Sequence, residues 1–438
     1  MKKSATIDTI YVLGIFAGFV LYYGGITQMN FWLILLCFRL FLCNRVETGF
    51  FLLIFGSSMF GRIFVSPSLY TWSMIVSIVA GSMLLYKEIA YALSKNGRSF
   101  FYLFLILLFF LFVYSVGPQT DYANDKLTRL LVRAPLWTVA FLIYVYYNKI
   151  SNARMAINFA LLALFYLSQS AQLFGIHPTS IFDVSFFRVQ AELLGRDDNG
   201  TLDVNWQTLG FLSLASIMFF LAYSLFTRKK IFLALFVLMG FCVILASARQ
   251  VIMCLIVLCV LRFYLGKKHG LTPSNLIKIA AILGLFYFTL SALETAFVKE
   301  IIGGDGDMST ALNRDIDTPF EVMDINPVFG IGFGGYPLYA NKDYPHNIFL
   351  EMICETGIVG TIIFFSIFFA FLYTNKVKSY FHYKTLGDSY IFIFIAMRFL
   401  ISLISGDVGS NVSFMCITFA CVPINTLRFN TTSYRRNI

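Results

Sequence analysis

Few residues of this chain combine a chemically able side chain with a setting that makes chemistry plausible. His346 follows Pro345, precedes Asn347 and opens a long apolar run. The first N–H groups of a helix lack partners and the positive end of its dipole lies there, so a cation is disfavoured. An imidazole in that place stays neutral, and a neutral histidine can accept a proton. Two readings stand: a general base where membrane meets water, or a histidine that caps the helix or sits at the interface. Arg249 lies in the corner Ala246-Ser-Ala-Arg-Gln250 between two strongly apolar runs. A guanidinium there is costly unless it meets an anion or a wet cavity. It either clamps a phosphate with its planar fork or snorkels to lipid headgroups.

Arg188, Arg196 and Arg314 occupy polar stretches that also hold Asp183, Asp197 and Asp315. They could ring a polyanion together with Arg249, or each could pair weakly with a neighbouring acid. Glu351 and Glu355 stand four residues apart, on one face of a helix at or inside the membrane. Intramembrane carboxylates are functional candidates. These two could orient a substrate hydroxyl or relay protons, and Glu294 and Arg398 are weaker cases of the same kind. Asn347, beside His346, is a supporting candidate. Gly330-Ile-Gly-Phe-Gly-Gly335 resembles a dinucleotide fingerprint but follows no strand. It reads better as a loop that hugs other backbone or substrate. Asp305-Gly-Asp307 is a solvated turn rather than a metal site, and Asn199-Gly-Thr201 is a weak glycosylation sequon.

The elements that must position these residues are membrane helices. The 438 residues are 58% hydrophobic and only 13% charged, with 50 Phe and 24 Tyr. Soluble domains carry roughly a quarter charged residues. Apolar runs of about 18 residues or more recur along the chain, which predicts an all-α, polytopic membrane protein rather than a transmembrane barrel. About 14 spans are expected, at residues 8–25, 30–44, 47–65, 71–88, 99–117, 130–148, 155–175, 206–226, 230–246, 248–266, 276–297, 347–373, 388–406 and 411–427. The net charge of +10 does not signal nucleic acid, because most Lys and Arg lie in short links between apolar runs.

Placing the N-terminus in the cytoplasm gives every inside link a Lys or Arg, and both termini then lie inside. Two long loops fall outside, about 176–205 and 298–346, within one integral membrane domain spanning residues 1–438. The eight Cys sit in or beside apolar runs without a CxxC, and read as packing residues. Lys2-Lys3 ahead of an apolar run reads as a retained first anchor rather than a cleaved signal.

The chain then shows Asn326-Pro-Val-Phe-Gly-Ile-Gly332, followed by Pro345-His-Asn-Ile-Phe-Leu-Glu-Met-Ile-Cys-Glu-Thr-Gly-Ile-Val-Gly360 leading into a span. In residues, spacing and context this resembles the O-antigen polymerase and O-antigen ligase superfamily of bacterial surface-polysaccharide assembly. Ser247-Ala-Arg249 and the Arg196-Asp-Asp-Asn-Gly200 segment with Asn205 agree with it. The resemblance covers roughly residues 185–370. It implies glycosyl transfer at the periplasmic face of the bacterial inner membrane, from a polyisoprenyl (undecaprenyl) diphosphate-linked glycan to a sugar hydroxyl. It implies inversion at the anomeric carbon, no metal and no cofactor.

Carried over by position, His346 would activate the acceptor. Arg249 and Arg314 would neutralise the diphosphate, with Arg188 or Arg196 as a third contact. Donor and acceptor lipid-linked glycans, membrane lipid and a chain-length regulator protein are the implied partners. The span count, the Phe content and the two outside loops favour a polymerase. A ligase acting on lipid A–core is the alternative. A lipid-linked oligosaccharide flippase or other transporter would spread ionisable residues through the midplane, whereas here they gather at one face.

Overall fold

The computed structural model describes residues 2–26, 29–58, 67–146, 150–176, 206–224, 231–246, 251, 255, 317–340, 343–345, 347–374, 402, 408 and 409. The described elements are helices. They are α1 (Lys2–Tyr23), α2 (Met29–Leu42), α3 (Arg45–Ser58), α4 (Pro67–Lys95), α5 (Gly97–Val116), α6 (Asp121–Tyr146), α7 (Asn152–Phe174), α8 (Trp206–Ser224), α9 (Ile231–Leu245), α10 (Asp317–Ile325), a 3₁₀ turn (Tyr336–Leu338) and α11 (Ile348–Thr374). Among the described residues, 6 helices are long and apolar enough to cross a membrane: α1, α4, α5, α6, α7 and α11. Shorter apolar stretches lie at Phe31–Leu42, Thr208–Phe220 and Ala234–Leu245. Large apolar side chains point outward, such as Phe41, Trp72, Phe112 and Phe369. A helix apolar on its outer face fits a lipid surround. Apart from residues 251, 255 and 402, the expected spans at 248–266, 276–297, 388–406 and 411–427 lie outside the described residues, as does the expected loop 176–205 almost entirely.

The chain divides into two compact units, Met1–Leu84 with Lys149–Leu312 and Leu85–Asn148 with Asn313–Ile438. In the first, α7 is the central helix, and every residue from Met155 to Ala171 is buried. Its small and aromatic residues let neighbours approach closely. Phe159 stacks on Phe219 of α8 at 5.7 Å and meets Phe51 of α3 edge-on. Ser216 donates its hydroxyl to the Ala156 carbonyl at 2.7 Å.

Among the described residues of this unit, charged groups are paired where they are buried, as a low-dielectric interior requires. Arg39 of α2 meets Asp8 of α1 and lies over the Tyr11 ring. Asn44 and Glu47 form a reciprocal capping box at the start of α3. The same Glu47 carboxylate accepts from the Ser151 N–H at 2.9 Å and from Arg154 Nη1 at 2.7 Å. It thereby ties the start of α3 to the start of α7.

The second unit packs α5, α6, α10 and α11 around aromatic rings. Phe110 of α5 contacts Phe333 and Phe364, and Tyr102 meets Phe371. One expectation shifts here. The helix expected from residue 130 begins instead at Asp121, because Thr120 caps it: its Oγ1 accepts the Ala123 N–H at 3.0 Å. The expected outside loop 298–346 is folded over its described part, carrying α10 and the 3₁₀ turn. Its polar, Gly-rich composition reads as loop because its backbone partners lie elsewhere in the chain.

Candidate functional site

The site region is built on α11. Asn347 is its N-cap: Oδ1 accepts the N–H groups of Phe349 at 2.9 Å and Leu350 at 3.3 Å. Further along, Gly357 leaves the helix with φ 63° and ψ −174°. In an unbroken helix the carbonyls of Cys354 and Glu355 would accept from the N–H groups of Ile358 and Val359. Here the segment 326–335 inserts into that break. Ile331 and Gly332 donate to the Cys354 and Glu355 carbonyls, each at 2.9 Å. Ile358 and Val359 donate to the Pro327 and Val328 carbonyls, at 2.9 and 3.2 Å. All four groups orphaned by the kink regain partners, which a span in hydrocarbon demands.

Close backbone approach explains the glycine pattern. Gly330 and Gly357, both at positive φ, face each other's segments so tightly that a Cβ would sit 2.4 Å from the Glu355 carbonyl carbon or 2.3 Å from the Val328 oxygen. Gly332 lies against Gly117 and Pro118, and Gly334 against Ala123. Thr120 Oγ1 donates to the Gly334 carbonyl at 3.1 Å, so the residue that caps α6 also holds the loop. Tyr336, Val322 and Cys354 form a small core beneath it. The expectation that this glycine run hugs backbone holds at each of these contacts.

A cation absent from the sequence-derived candidates completes the region. Lys126 of α6 is fully buried, with Nζ 2.5 Å from Glu351 Oε1 and 2.6 Å from Glu355 Oε2. It lies 4.6 Å from the Phe333 ring centroid, within cation–π range. The Glu351 carboxylate also accepts the Val408 N–H, at 2.8 and 3.1 Å. Both glutamates are thus held by a lysine, and their face of α11 is turned into protein. The clue to Lys126 is periodicity: Ala123, Leu130 and Ala134 share its helix face, and all are buried. A lysine on an apolar stripe entering a membrane span calls for an acidic partner.

Of the expected site residues, Asn347, Glu351 and Glu355 are brought together at the start of α11. His346, Arg188, Arg196, Arg249 and Arg314 lie outside the described residues, as do Glu294 and Arg398.

Residues 234–365 match the family model described as O-antigen ligase. The match covers less than half of the chain. The matched segment begins in α9 and ends inside α11, so it holds the inserted loop, the Gly357 break and both glutamates, along with Arg249, Arg314 and His346 in sequence. It supports the O-antigen polymerase and ligase superfamily, a family of membrane glycosyltransferase-like enzymes. A search of curated proteins gave no match.

Proposed function

We propose that the chain is an O-antigen polymerase of the bacterial inner membrane. It joins undecaprenyl-diphosphate-linked repeat units at the periplasmic face, with both termini in the cytoplasm and without metal or cofactor. The observation that supports this reading is the match of residues 234–365 to the O-antigen ligase family model, a segment that contains His346 directly before the cap of α11. In the reaction, His346 takes the proton of the acceptor hydroxyl as that oxygen attacks the anomeric carbon. The glycosyl–oxygen bond to diphosphate breaks and the lipid diphosphate leaves. Arg249 and Arg314, with Arg188 or Arg196, neutralise charge that grows on the leaving group. Such preorganised cations stabilise the transition state more than the ground state. A chain-length regulator is the expected protein partner.

The matched family fits a ligase equally, which is the second reading. Surface-glycan profiling of a deletion strain separates the two. A single repeat on lipid A–core marks a lost polymerase. Bare core with long chains stranded on lipid carrier marks a lost ligase, and unchanged glycan rejects both.

Arg249→Lys keeps a charge but loses the bidentate fork. We expect it to cut long-chain product about 100-fold, the scale of a lost transition-state donor. Wild-type chain length and yield in that variant would remove Arg249 from the diphosphate site.

A further inference from the structure

We propose that Lys126 is a positioning residue: through Glu351 and Glu355 it fixes the first turns of α11, and with them the reacting end of that helix. The inference rests on the glycosyl-transfer reading for its kinetic consequence, but its structural content stands apart from it. Glu351 and Glu355 flank one turn of α11, between the Asn347 cap and the Gly357 break. That turn is cut off from the rest of the helix, because the Cys354 and Glu355 carbonyls bond to the inserted loop instead of to Ile358 and Val359. A segment isolated from its own helix needs another anchor. Lys126 supplies it from α6, at 2.5 and 2.6 Å to the two carboxylates.

The anchor reaches the loop as well. Lys126 Nζ sits over Phe333, its neighbour Ala123 packs on Gly334, and Thr120 holds the Gly334 carbonyl. Three residues at the start of α6 thus hold both the first turns of α11 and the inserted loop. The Lys126 ammonium and the Glu351 and Glu355 carboxylates are fully buried, so solvent does not screen them. An ion network of this kind adds little to stability compared with an apolar replacement, but it fixes geometry. Geometry is what the adjoining His346 needs, since a displacement of about 1 Å at a reacting group can cost roughly 100-fold in rate.

The test uses a variant that removes every charge together, Lys126→Met with Glu351→Gln and Glu355→Gln, so that no buried charge is left unpaired. Purified wild-type and variant chains are reconstituted with lipid-linked repeat units, and amide hydrogen exchange is followed in parallel. We expect the variant to insert and to melt near the wild type. Exchange at residues 347–356 and 326–335 should accelerate. Its kcat should fall about 100-fold while KM changes by less than about threefold, because positioning acts on the transition state. Wild-type kcat with wild-type exchange would overturn the proposal, since the network would then serve stability alone. If the triple variant fails to insert, Glu355→Gln carries the same test, because it keeps the Lys126–Glu351 pair. A partial kcat loss with faster exchange supports positioning, and no change in either overturns it. A wild-type chain that transfers no glycan would count against the glycosyl-transfer reading, while the exchange result would still decide whether Lys126 anchors α11.

Discussion

His346→Ala is expected to abolish long-chain polysaccharide while the protein stays inserted in the membrane at normal level. The separation of activity from folding follows from what holds the start of α11. Its first N–H groups bond to Asn347 Oδ1, and its first turns are tied to Lys126. None of these bonds uses the 346 side chain. The chemical loss follows from the acceptor. A sugar hydroxyl is a poor nucleophile until its proton is taken, and a positioned base contributes about 10²–10⁴-fold. A polymerase repeats that step for each added unit, so the loss compounds and long chains vanish before short ones. Glycan length resolved on a gel, beside membrane protein level and melting temperature, decides the matter. Normal chain length in a folded His346→Ala protein would end the general-base role.

Hydropathy and link charges are enough to read most of the apolar helices, and the described helices α1 to α5, α7 to α9 and α11 fall where the apolar runs place them. Those runs are local signals, set by what lipid accepts. The interior of the site region is not local. Lys126 and Glu355 are 229 residues apart, and nothing near either one names its partner. Gly357 lies in so apolar a run that the sequence reads as one continuous helix. The break exists only because a loop some 25 residues earlier supplies the missing bonds. Likewise α10 and the glycine loop look like a polar gap until their contacts with α6 and α11 are known. The motif itself is legible, since NP-x-FG-x-G and ETG-xx-G are the two halves of that backbone exchange. What the spacing withholds is that they bind each other.

Gly330→Ala and Gly357→Ala are each expected to prevent accumulation of folded protein. An alanine in the left-handed region costs about 1–2 kcal/mol by itself. Displacement of the opposing backbone costs more. At both positions the new Cβ would lie within 2.5 Å of main-chain atoms of the opposing segment, and backbone cannot rotate away as a side chain can. Relief requires the loop to back out of the α11 break, which strands the carbonyls of Cys354 and Glu355 and the N–H groups of Ile358 and Val359. Each buried polar group left unpaired costs about 1–3 kcal/mol. Losing all four approaches or exceeds the roughly 5–15 kcal/mol that holds a typical protein folded.

Gly14→Ala and Gly240→Ala are the matched controls. An added Cβ meets nothing within 4 Å at either, and both lie inside helices. There alanine should be neutral or stabilising by about 0.5–1 kcal/mol. Membrane protein level and detergent melting temperature give the readout, and a wild-type melt for Gly357→Ala would refute the backbone exchange. A sharper form uses the pair. Because either alanine expels the same loop, the double variant should be scarcely worse than one single variant. Residues acting independently would add their costs, whereas two halves of one contact should not.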